Sequence, residues 1–392
     1  MRPLDGVTVI ALEHAIAAPF CTRQLADQGA RVIKIERPGS GDFARAYDQR
    51  VRGLSSHFVW TNRSKESLTL DVKQPAAQPI LKALLDRADV LVQNLAPGAT
   101  QRLGLDFETL RTAHPRLIVC DISGYGSDGP QRDRKAYDLL IQGESGFLSI
   151  TGSPEAPAKA GCSIADIAAG MNAYAAILAA LIARGRTGRG CRIDLSMLES
   201  MTEWMGFPLY YAYEGAPPPP RSGAAHATIQ PYGPYPVGDG GLVLLGVQNA
   251  REWLAFCAQV MGDPALAKDP RFESGPARAA NTDALRALIV AAFATRDTAT
   301  VLAQLDAAGI ANARVNTLDQ VWSHPQLQAR DRFTTVATPV GPVAALKPPG
   351  IGSAWSARMD PVPALGEHTE AVLTELGRTH DEIVALRAAG VI

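Results

Sequence analysis

Val7-Thr8-Val9-Ile10-Ala11-Leu12, followed at once by Glu13-His14-Ala15-Ile16-Ala17-Ala18-Pro19, is the stretch from which the fold class is read. The first six residues form a short, β-branched apolar run, the pattern of a strand buried on both faces. Pro19 sits where a helix can start, and that helix runs on through Gln28. Residues 31–35 then repeat the strand pattern. Working outward, strands are expected at 67–72, 89–93 and 117–122, with a helix at 75–88. Strands alternating with helices predict a parallel sheet covered on both faces, hence an α/β, Rossmann-like large domain. The same stretch also excludes something. No glycine follows Leu12 until well past Pro19, so the GxGxxG grip on a dinucleotide is missing, and the chain has no GxxxxGK loop either.

Composition sets the outer limits. The chain has 392 residues, 46% hydrophobic and 20% charged, with a net charge of −1. This is a globular profile with no global attraction to nucleic acid or anionic membranes, so any anion site must be a local cluster of cations. Residues 7–12 have no basic leader before them, and the most apolar stretch, 173–183, is shorter than a bilayer span. Five cysteines without a CxxC pair predict neither disulfides nor a metal site, and a reducing cytoplasm suits them.

Further along, residues 163–183 predict a long helix of small side chains that can pack closely against a neighbour. A strand at 192–195 precedes a helix carrying Met197, Met201 and Met205, a spacing typical of core packing. Four consecutive prolines, Pro217 to Pro220, mark a stiff linker. The domains are therefore expected as follows: a large domain at 1–213, a linker at 214–225, a smaller α/β domain at 226–325, and a return segment at 326–392 ending in helices packed on the large domain. Within the smaller domain a strand is expected at 242–247, with helices at 251–261, 282–294 and 298–308. Thr379-His380-Asp381-Glu382 opens the last helix with a capping box.

Asp166 stands out chemically. It follows Gly161-Cys162-Ser163-Ile164-Ala165, at the head of the small-residue helix. The structural reading makes Ser163 the N-cap, with Asp166 reaching back to the backbone. The functional reading has the helix dipole holding an ionised carboxylate, by ~0.3–1 kcal/mol, close enough to attack a thioester. Arg37 follows the second strand, Asn94 and Arg102 the fourth, and Lys135 the turn at 124–130. Cations at successive strand ends can gather a ligand bearing several phosphates.

These residues carry a resemblance to the class III coenzyme A transferases, a family that includes formyl-CoA transferases, carnitine CoA transferases and α-methylacyl-CoA racemases. The matching blocks are Pro3-Leu4-Asp5-Gly6-Val7 through Glu36-Arg37-Pro38-Gly39-Ser40-Gly41-Asp42, Asn62-Arg63-Ser64-Lys65, Asn94 to Gly104, Ser123-Gly124-Tyr125-Gly126, Ile164-Ala165-Asp166, Thr187-Gly188-Arg189-Gly190 and Asp194-Leu195-Ser196-Met197. The resemblance implies that Asp166 is the catalytic aspartate. It also implies that Ala15, Arg37, Lys65, Asn94, Leu95, Arg102, Lys135 and Met197 lie along coenzyme A, which would be a substrate, with no permanently bound cofactor and no metal. An interlocked homodimer is implied as well, with neither nucleic acid nor membrane as partner.

Two departures narrow the reaction. Where racemases have Gly-His-Asp, this chain has Ala136-Tyr137-Asp138, and tyrosine, ordinarily titrating near ~10, is a poor base. Ile16 stands where formyl-CoA transferases have glutamine, so formate and oxalate are not the expected substrates. Tyr137-Asp138 and Ala225-His226-Ala227-Thr228 resemble the branch that handles short dicarboxylates such as succinate, mesaconate or itaconate. Tyr137, His226 and Arg45 are the candidate substrate residues. The alternatives are a racemase or epimerase, an intramolecular mesaconyl-CoA transferase, and a CoA-binding regulatory protein.

Overall fold

The computed structural model describes residues 1–392. The chain divides into two compact units. The first comprises Met1–Gly146, Ala160–Gly206 and Leu327–Ile392, and the second comprises Phe147–Lys159 and Phe207–Gln326.

In the first unit, β1 (Thr8–Leu12), α1 (Ala17–Asp27), β2 (Arg31–Glu36), β3 (Lys65–Thr69), α2 (Gln78–Leu85), β4 (Val90–Gln93), β5 (Ile118–Ser123), α3 (Asp138–Glu144), α4 (Ile164–Thr187), β6 (Arg192–Ser196) and α5 (Met197–Trp204) follow one another. The six strands form one sheet in the order β3-β2-β1-β4-β5-β6, and every pairing is parallel. This is the Rossmann-like arrangement expected, and it needs no glycine fingerprint. The central strands are apolar throughout because helices cover both faces: Val9, Ile10, Val90, Val92, Ile118 and Val119 have no exposed surface. The strand order reverses between β1 and β4, and a parallel sheet opens a crevice beyond the carboxyl ends of its strands at such a point.

Three expectations need adjusting. The third strand starts at Lys65 rather than 67, because Lys65 pairs with Val32. The helix expected at 75–88 is a short 3₁₀ turn, Pro75–Ala77, followed by α2. The apolar helix is also longer than the stretch read from sequence. α4 has 24 residues, long and apolar enough to cross a membrane. Ala165, Ala168, Ala169, Gly170, Ala173 and Ile177 are buried along it, and it lies against α1. Gly170 permits that approach: a methyl group there would fall 2.7 Å from the Ala17 carbonyl oxygen and 3.0 Å from Phe20.

The return segment is stitched into the first unit. A hairpin of β10 (Phe333–Val336) and β11 (Val343–Leu346) is followed by two helices, Thr369–Glu375 and His380–Ala388. Val372, Leu373, Ile383, Val391 and Ile392 join the core beneath the sheet, and the Thr379–Glu382 capping box is formed as read.

In the second unit β7 (Tyr232–Pro236), β8 (Leu242–Gly246) and β9 (Ala311–Arg314) form an antiparallel sheet. Its core includes Trp253, Phe256, Phe272, Ile289, Phe293 and Leu305. β7 contains Pro234 and Pro236, which an edge strand tolerates. The first segment of this unit, Phe147–Lys159, lies far from the expected linker. It is held by hydrogen bonds from the Gly223 amide to the Gly152 carbonyl and from Arg221 to the Ser153 and Pro154 carbonyls. The boundary accordingly falls at Gly206–Phe207, ahead of the proline run.

Candidate active site

The loop joining β1 to α1 is built to be rigid. Glu13 is fully buried, and its Oε1 accepts hydrogen bonds from the Lys65 and Lys34 ammonium groups at 2.6 and 3.3 Å. Burial by itself raises the pKa of such a carboxyl, but the two lysines bring it below the ordinary value. Lys34 also binds Asp42 at 2.8 Å, and the other Asp42 oxygen accepts from the amides of Ala44 and Ala15. Ala15 needs this support, because its φ of 61° is a left-handed conformation that costs energy for any residue with a Cβ. From β4, Asn94 completes the clasp: it accepts from the His14 amide and donates to the His14 carbonyl, both at 2.9 Å. Strands β1 and β4 are thus locked together where the sheet order reverses.

The loop leads into the first turn of α1, whose N-cap, Ile16, is buried and offers no side-chain acceptor. Asp166 supplies one. Its carboxylate accepts from the Ala17 amide, so the first turn of α4 is joined to the first turn of α1. Asp166 is not capped as the sequence suggested. Ser163 makes no capping hydrogen bond. Asp138, the first residue of α3, takes its place, with Oδ1 accepting from the Ala165 amide at 2.8 Å and the Asp166 amide at 3.3 Å. The other Asp138 oxygen accepts from Gln142 Nε2 at 2.6 Å, and the side-chain Oε1 of Gln142 accepts from the Ala160 amide at 3.0 Å. The sequence marks Asp138 only through the Ala136-Tyr137-Asp138 triplet and its likeness to the dicarboxylate branch, not as a cap. Its role depends on a contact across 28 residues that no local pattern reveals.

The electrostatics of Asp166 also reverse the expectation. The helix dipole was expected to keep this carboxyl ionised, but burial and the neighbouring Asp138 charge push it up to about 7, against a smaller opposing effect of the Ala17 hydrogen bond. Such a carboxylate is more basic, and therefore more nucleophilic once ionised, than an ordinary aspartate. Tyr47 lies near enough for Asp42, Asp166 and Tyr137 to add to the effect of burial on its phenol, which is pushed up to about 12. Tyr137 itself is exposed.

Arg37, Arg102 and Lys135 are exposed and lie beyond the carboxyl ends of β2, β4 and β5 respectively, as Asn94 and Leu95 do for β4. Met197 begins α5 immediately after β6. It is buried together with Met201 and Met205, so the methionine stripe is core packing. Lys65 and Arg45 are placed otherwise than imagined. The Lys65 ammonium is enclosed by Glu13, the Pro19 carbonyl and Asn62. Arg45 grips Glu36 with two hydrogen bonds of 2.8 and 2.7 Å and stacks on Phe58. In the second unit, His226 Nδ1 accepts from the Thr228 and Ile229 amides, and the ring stacks on Tyr232.

A family model described as CoA-transferase family III matches residues 4–369. The chain is 36% identical to a succinate–glutarate CoA-transferase of Agrobacterium fabrum, over 95% of this chain and 96% of that one. It is 34% identical to a succinyl-CoA–D-citramalate CoA-transferase of Chloroflexus aurantiacus, over 100% and 98%. Among solved structures, a CAIB/BAIF family protein from Brucella suis superimposes with a TM-score of 0.85 at 34% identity, covering 96% of this chain and 99% of that one.

Proposed function

The chain belongs to CoA-transferase family III, and we propose that it transfers coenzyme A between short dicarboxylic acids through a thioester formed on Asp166. The observation that carries this reading is the position of Asp166. A carboxylate of raised basicity sits at the meeting of two helix N-termini, bonded to the turn that follows β1, and Arg37, Asn94, Arg102 and Lys135 follow the carboxyl ends of neighbouring strands of the same sheet.

The steps balance without any other reagent. An ionised Asp166 oxygen attacks the carbonyl carbon of the donor thioester; the C–S bond breaks and coenzyme A leaves as a thiolate, giving a mixed anhydride. The thiolate then attacks the aspartyl carbonyl, and the donor acid departs with the bonding electrons as a carboxylate. The acceptor carboxylate attacks the resulting aspartyl thioester and expels the thiolate. Attack of that thiolate on the acceptor's own acyl carbon releases the product thioester and restores Asp166. The Ala17 amide, aimed at the Asp166 carboxyl, is placed to steady charge on its oxygen. Water must be kept out while the anhydride exists, and the glycine-rich segment 124–129 is the candidate cover.

Arg37, Arg102 and Lys135 suit the phosphates of coenzyme A, with Ala15, Asn94, Leu95 and Met197 along its length. Lys65, with internal partners of its own, is not assigned to coenzyme A, and Arg45, bound to Glu36, is not assigned to the substrate. Succinyl-CoA is the proposed donor, and glutarate, mesaconate, itaconate or citramalate the acceptor class. The buried Ile16 offers no polar group to a smaller acid. Tyr137 and His226 remain the candidate selectors. Exposed Trp204, Phe207, Tyr210 and Tyr213 favour a homodimer that covers them, and five free thiols suit the cytoplasm.

The test is to incubate the protein with succinyl-CoA and a panel of free acids, including oxalate and formate, and to identify new thioesters by mass. An intact-protein spectrum should show coenzyme A attached at Asp166. Exchange of the α-proton of a 2-methylacyl-CoA in heavy water would instead identify a racemase.

A further inference from the structure

Asp138 lies outside the chain of bond-making steps, yet the structure places its charge against the residue that performs them. One oxygen holds the Ala165 and Asp166 amides, and the other holds Gln142, which in turn holds the Ala160 amide. The carboxylate is therefore fixed on both oxygens, one by the turn that carries Asp166 and the other by Gln142 of its own helix. No lysine or arginine pairs with it, in contrast to Glu13, Asp42 and Asp27 in the same unit.

We propose that Asp138 is a positioning residue that drives Asp166 toward its covalent states. Its charge opposes the free Asp166 carboxylate, and the opposition disappears whenever Asp166 becomes the neutral carbonyl of an anhydride or a thioester. The proposal rests on the reading of Asp166 as nucleophile and deepens it. In each cycle the first step consumes the charged carboxylate, the next two keep it covalently bound, and only the fourth regenerates it. A fixed like charge therefore raises the energy of the free enzyme relative to every acylated form, and makes the attacking oxygen more basic. The same hydrogen bonds keep the turn aligned while this happens.

The other groups around Asp166 do not supply this effect. From α1 it receives the Ala17 amide, which acts in the opposite direction. Tyr47 approaches as a neutral phenol, with Tyr137 beside it. Arg23 on α1 pairs with Asp27, and Glu199 on α5 closes its own capping box with Ser196.

Two variants separate charge from hydrogen bonding. Asp138→Asn keeps an oxygen for the two amides but removes the charge, and its new amide meets the Gln142 donor. Adding Gln142→Glu restores an acceptor for that amide and for Ala160, leaving the charge one helical turn away from Asp166. For both variants, kcat/KM with succinyl-CoA is measured from pH 5.5 to 8.5 and divided by the wild-type value, which cancels titration of the substrates. The ratio is expected to rise by about ten-fold or more on going from pH 8.5 to 5.5, since one pKa unit is a factor of ten. The fraction of protein carrying coenzyme A by intact mass, at equal reactant concentrations, is expected to fall several-fold. A ratio that stays flat with pH overturns the proposal, as does loss of folding in both variants, because the role is then structural. If Asp138→Asn alone fails to fold, the double variant decides. The parent reading has its own control: if wild type forms no adduct and Asp166→Asn still exchanges thioesters, the nucleophile is wrong, whereas adduct in wild type with a flat ratio sinks only the role of Asp138.

Discussion

Two groups of acidic side chains hold the same loop within two residues of each other, yet their electrostatic settings are opposite. Asp42, joined to Glu13 through Lys34, binds the Ala15 amide. Asp166, beside Asp138, binds the Ala17 amide. The first group is fully buried, and each carboxylate faces an ammonium group, so Glu13 titrates below its ordinary range in spite of burial. The second group is only partly buried and has no cation, so Asp166 titrates near 7. Burial alone does not decide the direction of the shift here; charge compensation does. The compensated cluster fixes the strained Ala15 and the start of α1, and the uncompensated pair is left with free energy that a covalent bond can release.

Asp166→Asn should have the largest effect. Turnover is expected to fall by at least about a thousand-fold, and the adduct to disappear. Stability should move the other way. A carboxyl whose folded pKa of about 7 lies above its unfolded value contributes stability that is fully present below about pH 4 and lost as pH rises through 7. Asparagine stays neutral throughout, so the variant should unfold about 1–3 kcal/mol harder than wild type at pH 8 and no harder at pH 4. Urea melts at both pH values check this, and an equal difference at both would remove the distinction between the two clusters.

Lys65→Met attacks the compensated cluster. With only Lys34 left for Glu13, about 3–5 kcal/mol of stability should be lost, measured by urea melts. A normal melt with a raised KM for succinyl-CoA would instead return Lys65 to the coenzyme A site. Gly170→Ala tests the contact that brings the groups near each other, since it forces α4 away from the Ala17 carbonyl. A loss of about 1–3 kcal/mol is expected, with kcat falling ten- to a hundred-fold as the Ala17 amide and Asp166 separate. Unchanged kcat would mean that this contact is dispensable. Thr379→Ala, in a helix cap remote in sequence from both clusters, should cost about 1 kcal/mol and leave kcat/KM unaltered.

The strand-end cations and Asp166 itself were legible before any coordinates, because each follows a short apolar run that can only be a buried strand, or opens a helix of small residues. The misreadings share one cause. Ser163 looked like the cap of α4 because it is local, while the true acceptor, Asp138, comes from another helix. Lys65 and Arg45 look available because a sequence shows a cation but not the carboxylate that the fold brings to it, Glu13 for Lys65 and Glu36 for Arg45. β7 and β9 were missed because Pro234, Pro236 and the short Ala311–Arg314 run lack the alternation of an ordinary strand, and only pairing with β8 gives them their conformation.

Periodicity and residue type by themselves determined that this chain builds a parallel sheet without a glycine phosphate grip, and which side chains stand at its carboxyl edge. Those are consequences of backbone geometry acting over a few residues. Tertiary structure alone decided which charges are neutralised and which are not. Coulombic and desolvation energies depend on distances between groups tens of residues apart, and here they leave Asp42 paired with an ammonium group while Asp166 faces another carboxylate.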